Sequence, residues 1–151
     1  MAEDGFQFKY QKILEVREHQ EKQLEIELAR IDESIRMQRQ ERRRWEGVRD
    51  ELLEALGRAR RRGDMVEAAQ CSDYLRHVRE RIEHFENVEA EMKKEREQVR
   101  SSLEDVLRSR KVLENYRDRL RTEFRSEREK AEEKVLDLHS AHKFTQAEGD
   151  R

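Results

Sequence analysis

Apolar residues recur in this chain at alternating three- and four-residue steps, and no proline interrupts them anywhere in 151 residues. Such spacing draws a narrow apolar stripe down one side of an α-helix, the kind that is covered by a second helix along a seam. With only five glycines besides, the chain has few places to reverse direction. One series runs Leu24, Leu28, Ile31, Ile35, Gln38, Arg42, Trp45, Arg49, Leu52, Leu56, Ala59. A second runs Ala68, Cys71, Leu75, Val78, Ile82, Phe85, Glu89, Met92, Arg96, Val99, Leu103, Val106, Arg110, Leu113, Arg117, Leu120, Phe124, then weakens through Glu127, Ala131, Lys134 and Leu138. Upstream of the first, Phe6, Tyr10, Ile13, Arg17 and Gln20 follow the same steps, and the four-residue step from Gln20 to Leu24 reads as a stutter.

Composition decides between helix and disorder. Charged residues make up 46% and hydrophobic ones 34%, against about 25% and 45–50% in globular domains, so a broad core is excluded. Lys and Arg (34) nearly balance Asp and Glu (36) for a net charge of -2. An interleaved, balanced set suits salt-bridged helices better than a self-repelling coil. The single cysteine, Cys71, allows no intrachain disulfide and suits a reducing compartment. Met1 to Phe6 shows no basic, apolar leader, and no apolar run approaches a membrane span, so neither secretion by signal peptide nor membrane spanning is expected.

The break between the two series falls at Gly57, Arg58, Arg60 to Arg62, Gly63 and Asp64, where two glycines lie within seven residues. The expected fold is all-α: two long helices forming an antiparallel coiled-coil hairpin in one domain, residues 1–151. Helix one spans about 5–60, the hinge about 61–64 and helix two about 65–140, with a frayed tail at 141–151. Asp64 is placed to cap helix two, with Glu67 three residues on completing a capping box; Asp4 with Gln7 offers a weaker version for helix one. Gly47 lies inside helix one at a cost of about 1 kcal/mol relative to Ala.

Folding back at that hinge pairs residues whose numbers sum to about 127, setting Leu56 against Cys71, Leu52 against Leu75, Trp45 against Ile82, Ile35 against Met92, Leu28 against Val99 and Leu24 against Leu103. Past the stutter, Ile13 meets Leu113 and Phe6 meets Leu120. The same register sets Arg36, Arg39 and Arg42 to Arg44 opposite Glu83, Glu86, Glu89 and Glu91, which favours the antiparallel pairing. Helix one is then ~80 Å long and helix two ~110 Å, leaving ~27 Å of helix two beyond Leu120 without a partner. That overhang keeps Phe124, Ala131, Val135 and Leu138 on one face, and an uncovered apolar stripe marks a partner site.

No phosphate loop, nucleophile elbow, His-Glu-x-x-His or Cys-x-x-Cys is present, so no catalytic residues, no cofactor and no small-molecule substrate are expected. His139 and His142 share a face, but two ligands do not make a metal site. Cys71 and Trp45 sit at seam positions and read as packing residues. Residues 36–62 carry ten Arg and five acids, net +5. Without interleaved aromatics for base stacking, charge complementarity within the hairpin is the reading adopted, and no nucleic acid is expected. Val78 and Phe85 face Arg49 and Arg42, whose stems cover them incompletely. Tyr74, Val78, Arg81 and Phe85, at steps of four, three and four, therefore form a second candidate partner surface.

The N-terminal Phe-x-Phe-x-x-x-x-x-Leu (Phe6, Phe8, Leu14), the two-helix layout, Tyr74-Leu75 at the start of helix two, and the runs Arg110, Lys111, Leu113, Glu114, Arg117 and Arg128, Glu129, Asp137 resemble the flagellar export protein FliJ family over nearly the whole chain. The resemblance implies a non-catalytic cytoplasmic stalk of the flagellar type III export apparatus, associated peripherally with the inner membrane at the flagellar base. Its ends would enter the hexameric export ATPase and promote assembly, and its hinge-proximal region would meet the cytoplasmic domain of the membrane export gate; export chaperones are further partners. On these expectations Phe124, Arg128, Ala131, Val135 and Leu138 contact the ATPase, and Tyr74, Val78, Arg81 and Phe85 contact the gate, although Arg81 stands where a small apolar residue would suit that surface better. An injectisome stalk and a generic structural coiled-coil scaffold remain as alternatives.

Overall fold

The computed structural model describes residues 5–150, so the proposed Asp4 cap lies outside the described residues. It contains two helices packed against each other, α1 (Gln11–Arg62) and α2 (Met65–Gly149), and no strand among the described residues. The fold is all-α, as the spacing predicts. The chain divides into two units: Glu21–Asp105, and Met1–Gln20 together with Val106–Arg151.

Within Glu21–Asp105 the two helices run antiparallel on either side of a two-residue connection. The reversal is tighter than the expected hinge, because α1 continues through Gly57 to Arg62. It ends in a Schellman arrangement: the Asp64 amide donates to the Ala59 carbonyl (2.9 Å) and the Gly63 amide to the Arg60 carbonyl (3.2 Å). Gly63 adopts φ +73°, a left-handed conformation that glycine takes without steric penalty. Asp64 then caps α2, its Oδ1 accepting from the Glu67 amide at 3.0 Å. The capping box is only half formed, since the Asp64 amide is already used in closing α1 and the Glu67 carboxylate binds Arg62 instead.

Small residues occupy the seam where the helices first meet: Ala59 and Ala68 are buried with Leu56, and Cys71 packs against them as a small apolar side chain. Leu75, Val78 and Ile82 continue the buried row of α2. Farther from the turn, Ile31, Ile35 and Val99 form a core flanked by Leu24, Leu28 and Met92. The ion pairs Asp32–Arg96 (2.5 Å) and Arg39–Glu89 (2.7 Å) fall within one residue of the expected register.

The unit of Met1–Gln20 and Val106–Arg151 departs from expectation at its N-terminal segment. Helix one does not start near residue 5; residues 6–8 are irregular, 9–10 form a turn, and α1 begins at Gln11, whose amide donates to the Phe8 carbonyl. The cause lies in the alternation Phe6-Gln7-Phe8-Lys9-Tyr10. Period two gathers aromatic rings on one side of a non-helical chain, whereas a helix would scatter them around its axis. All three rings reach α2: Phe6 to Phe124 (5.6 Å between centroids), Phe8 to Tyr116 (6.1 Å) and Tyr10 to Tyr116 (6.2 Å). Phe6 thus meets Phe124, one turn beyond the expected Leu120.

The first turn of α1 carries a second correction. Leu14 is fully buried and Ile13 is 47% exposed, so Ile13 does not meet Leu113. The steps from Tyr10 to Leu14, Arg17, Glu21 and Leu24 alternate four and three without a break, and all five residues are buried or half-buried. No stutter is needed. At the other end α2 does not fray at Ser140 but continues to Gly149. Residues 141–148 contain no helix breaker, and the Thr145 hydroxyl lies 3.1 Å from the Ala141 carbonyl within the helix.

Candidate functional site

The terminal surface is built on the hooked N-terminal segment and α2. The Arg121 guanidinium lies 5.6 Å from the Phe6 ring centre, and Phe6, Phe124, Arg121, Arg125 and Arg128 line a groove of about 280 Å³ together with Glu129 and Glu132. Arg128 pairs with Glu132 at 3.4 Å. Phe124 is half-buried by its ring contact, and from Arg125 to the end of α2 every residue is exposed. At 3.6 residues per turn, Ala131, Val135 and Leu138 stay within about 60° of one another along this bare segment. Val135 is 65% and Leu138 71% exposed. Leu136 and Phe144, equally exposed, lie well round the helix from that stripe.

The turn-proximal surface differs from its expected composition. Val78 has no exposed surface and belongs to the seam, a correction to its place among the contact residues: a side chain enclosed between two helices cannot meet a partner. Tyr74 and Arg81 are exposed and Phe85 is half-buried. Trp45, expected in the core, is only half-buried, and α1 contributes it to this surface. The Arg81 guanidinium lies 5.6 Å from the Trp45 ring centre and 5.5 Å from that of Phe85. His77 meets Trp45 edge-on and stacks on Tyr74, each at 6.1 Å, and His84 meets Phe85 at 5.5 Å. Spacing could have found His77 and His84, because Tyr74, His77, Arg81 and His84 form a three-four-three stripe beside the seam.

Between these surfaces α2 buries a charge. Glu89, 4% exposed, accepts from Arg39 (2.7 Å) and Arg42 (2.6 Å) of α1 and pairs with Lys93 at 3.2 Å. The other expected cross-seam pairs do not form around Arg36 and Arg44, which bind Glu33 and Glu41 of their own helix. The hydrogen bond from Arg39 holds the Glu89 carboxyl below the usual carboxylate range against the opposing pull of desolvation, helped by Lys93 and by the Arg42 charge. A depressed carboxyl contributes stability above its unfolded pKa of about 4.3, and loses it as pH falls through the lower folded value. Glu89→Gln is expected to cost ~1–3 kcal/mol at pH 7, and the difference is expected to shrink as acidification protonates the Glu89 carboxyl. Thermal melts followed by circular dichroism at successively lower pH provide the check, and a pH-independent difference would contradict it.

The Arg-rich end of α1 is satisfied locally: Arg58 lies 3.9 Å from Glu54, Arg62 binds Glu67, and Arg60 to Arg62 occupy the last turn, where cations complement the helix dipole. Among the described residues no group of three or more His, Cys, Asp or Glu is placed to hold a metal, and no helix is long and apolar enough to cross a membrane. Both surfaces set exposed apolar area beside guanidinium groups. The family model described as flagellar FliJ protein matches residues 6–149. Among curated proteins and among solved structures, none matches the chain.

Proposed function

Since the chain belongs to the flagellar FliJ family, a family of flagellar protein export, we propose that it is a non-catalytic stalk of the export apparatus that enters the hexameric export ATPase and promotes its assembly. The observation that carries this reading is the bare end of α2, where Ala131, Val135 and Leu138 hold an apolar stripe that nothing in the described chain covers. A stripe of that kind is stable in water only at a cost that a partner would relieve. Phe124 and Arg128, at the groove beside Phe6, extend the same contact.

The turn-proximal surface of Tyr74, Arg81 and Phe85 would meet the cytoplasmic domain of the membrane export gate, and export chaperones complete the set of partners. On this reading the protein works in the cytoplasm, peripherally attached at the inner membrane beneath the flagellum. The match to a flagellar family favours this system over an injectisome stalk. The close turn at Gly63 and Asp64 speaks against the scaffold alternative of an uninterrupted rod.

The test is the rate of the purified export ATPase with and without the full-length chain. Stimulation accompanied by hexamer formation, seen by light scattering, is the expected result. Absence of both binding and stimulation would overturn the proposal.

A further inference from the structure

Arg81 differs from those arginines of this chain that find a carboxylate within their own helix. Arg36 has Glu33, Arg100 has Glu97 and Glu104, Arg110 has Glu114 and Arg128 has Glu132, all at three- or four-residue separations. At the same separations from Arg81 stand His77, Val78, His84 and Phe85. Across the seam the residue in contact with it is Trp45. No carboxylate pairs with its guanidinium among the described residues, and two aromatic rings flank it at 5.6 and 5.5 Å.

Rings alone do not satisfy a guanidinium. Contact with an aromatic face occupies the π surface of the group and leaves its in-plane N–H donors available for a carboxylate. Trp45 and Phe85 restrict where the group can sit, so less side-chain freedom remains to be lost when a partner binds. Apolar area adjoins it through Tyr74, 47% exposed, and the half-buried rings.

We infer that Arg81, flanked by Trp45 and Phe85, is the specificity-determining cation of the turn-proximal surface, and that it takes a carboxylate from a segment of the export gate carrying an acidic side chain beside apolar ones. The inference rests on the gate contact proposed above and adds the chemistry of its recognition. Charge complementarity selects that occupant: one ring-flanked cation beside aromatic surface suits one carboxylate next to an apolar anchor. A nucleic acid would require a run of cations along its backbone, and Glu80 and Glu83 are exposed beside Arg81 on α2.

The experiment titrates the full-length chain with the purified cytoplasmic domain of the export gate by calorimetry, together with Arg81→Ala, Arg81→Lys, Arg81→Glu and the neighbouring control Arg79→Ala. Circular dichroism establishes that each variant retains its helix content. Arg81→Ala is expected to bind about tenfold more weakly and Arg81→Glu about a hundredfold, with Arg81→Lys between wild type and Ala and Arg79→Ala near wild type. Trp45 is the sole tryptophan, so incorporation of 5-fluorotryptophan gives one 19F signal, expected to move on binding. Wild-type affinity in Arg81→Ala overturns this inference while leaving the gate as a partner. Failure of the wild-type chain to bind the gate domain overturns both. Arg81-dependent binding of single-stranded RNA with a steep salt dependence overturns the assignment to a carboxylate.

Discussion

Placing aspartate at both Val135 and Leu138 is expected to weaken binding to the export ATPase by ~100-fold or more while leaving helix content almost unchanged. Both side chains are largely exposed, so their removal disturbs no packing within the chain. Burying an aliphatic side chain of this size at an interface contributes ~1.5–3 kcal/mol, and two together exceed the ~2.7 kcal/mol that a hundredfold change requires. Putting charge where apolar contact forms adds a desolvation penalty in the same direction. Leu136→Asp is the control, because Leu136 is 64% exposed on the same bare segment but points away from the stripe. Sedimentation of labelled protein with the ATPase measures both. Equal affinity for the double variant and wild type would remove the stripe from the interface, and an equal loss in Leu136→Asp would show that the segment acts without a preferred face.

The second large effect concerns stability. Leu14→Ala is expected to destabilise the protein by ~2–4 kcal/mol, and Ile13→Ala by less than ~1 kcal/mol. The residues are adjacent and nearly equal in volume, so the contrast comes from burial alone: Leu14 is enclosed and Ile13 lies half in water. Truncating an enclosed leucine removes transfer free energy and leaves a void that surrounding side chains fill only in part. Denaturant unfolding of the two variants measures the difference. Equal losses at both positions would restore a register that places Ile13 in the seam and would require the stutter.

These positions also show where sequence reading succeeds and where it needs more than periodicity. Every seam position named from Ala68 to Phe124, and from Leu24 to Ala59, is buried or half-buried, because a narrow stripe among charged residues leaves few competing phases. At Ile13-Leu14 two apolar residues adjoin, and the spacing admits either; only continuity with Leu24 through Arg17 and Glu21 separates them. The aromatic alternation at Phe6, Phe8 and Tyr10 follows a two-residue period that a helical search absorbs into its own pattern. Of the turn-proximal residues, Tyr74, Arg81 and Phe85 are legible from spacing, whereas Trp45 is not, since its part depends on which side chain α2 sets against it. Glu89 was visible as an acid opposite arginines, but its burial follows from the convergence of three cations.

The two-residue reversal at Gly63 and Asp64 also governs how such a chain can change length in evolution. With no slack in the connection, a residue inserted in α1 between Leu24 and Ala59 shifts every layer farther from the turn against α2 unless a matching insertion arises on the other side. Single insertions rotate the apolar stripe by about 100° as well, so the lengths tolerated there are whole heptads gained or lost in both arms together. Past Phe124 no described residue of the N-terminal arm is set against α2. There the chain is free to lengthen or shorten on one side only, and differences in reach between descendants of one ancestor should accumulate in that single strand of sequence.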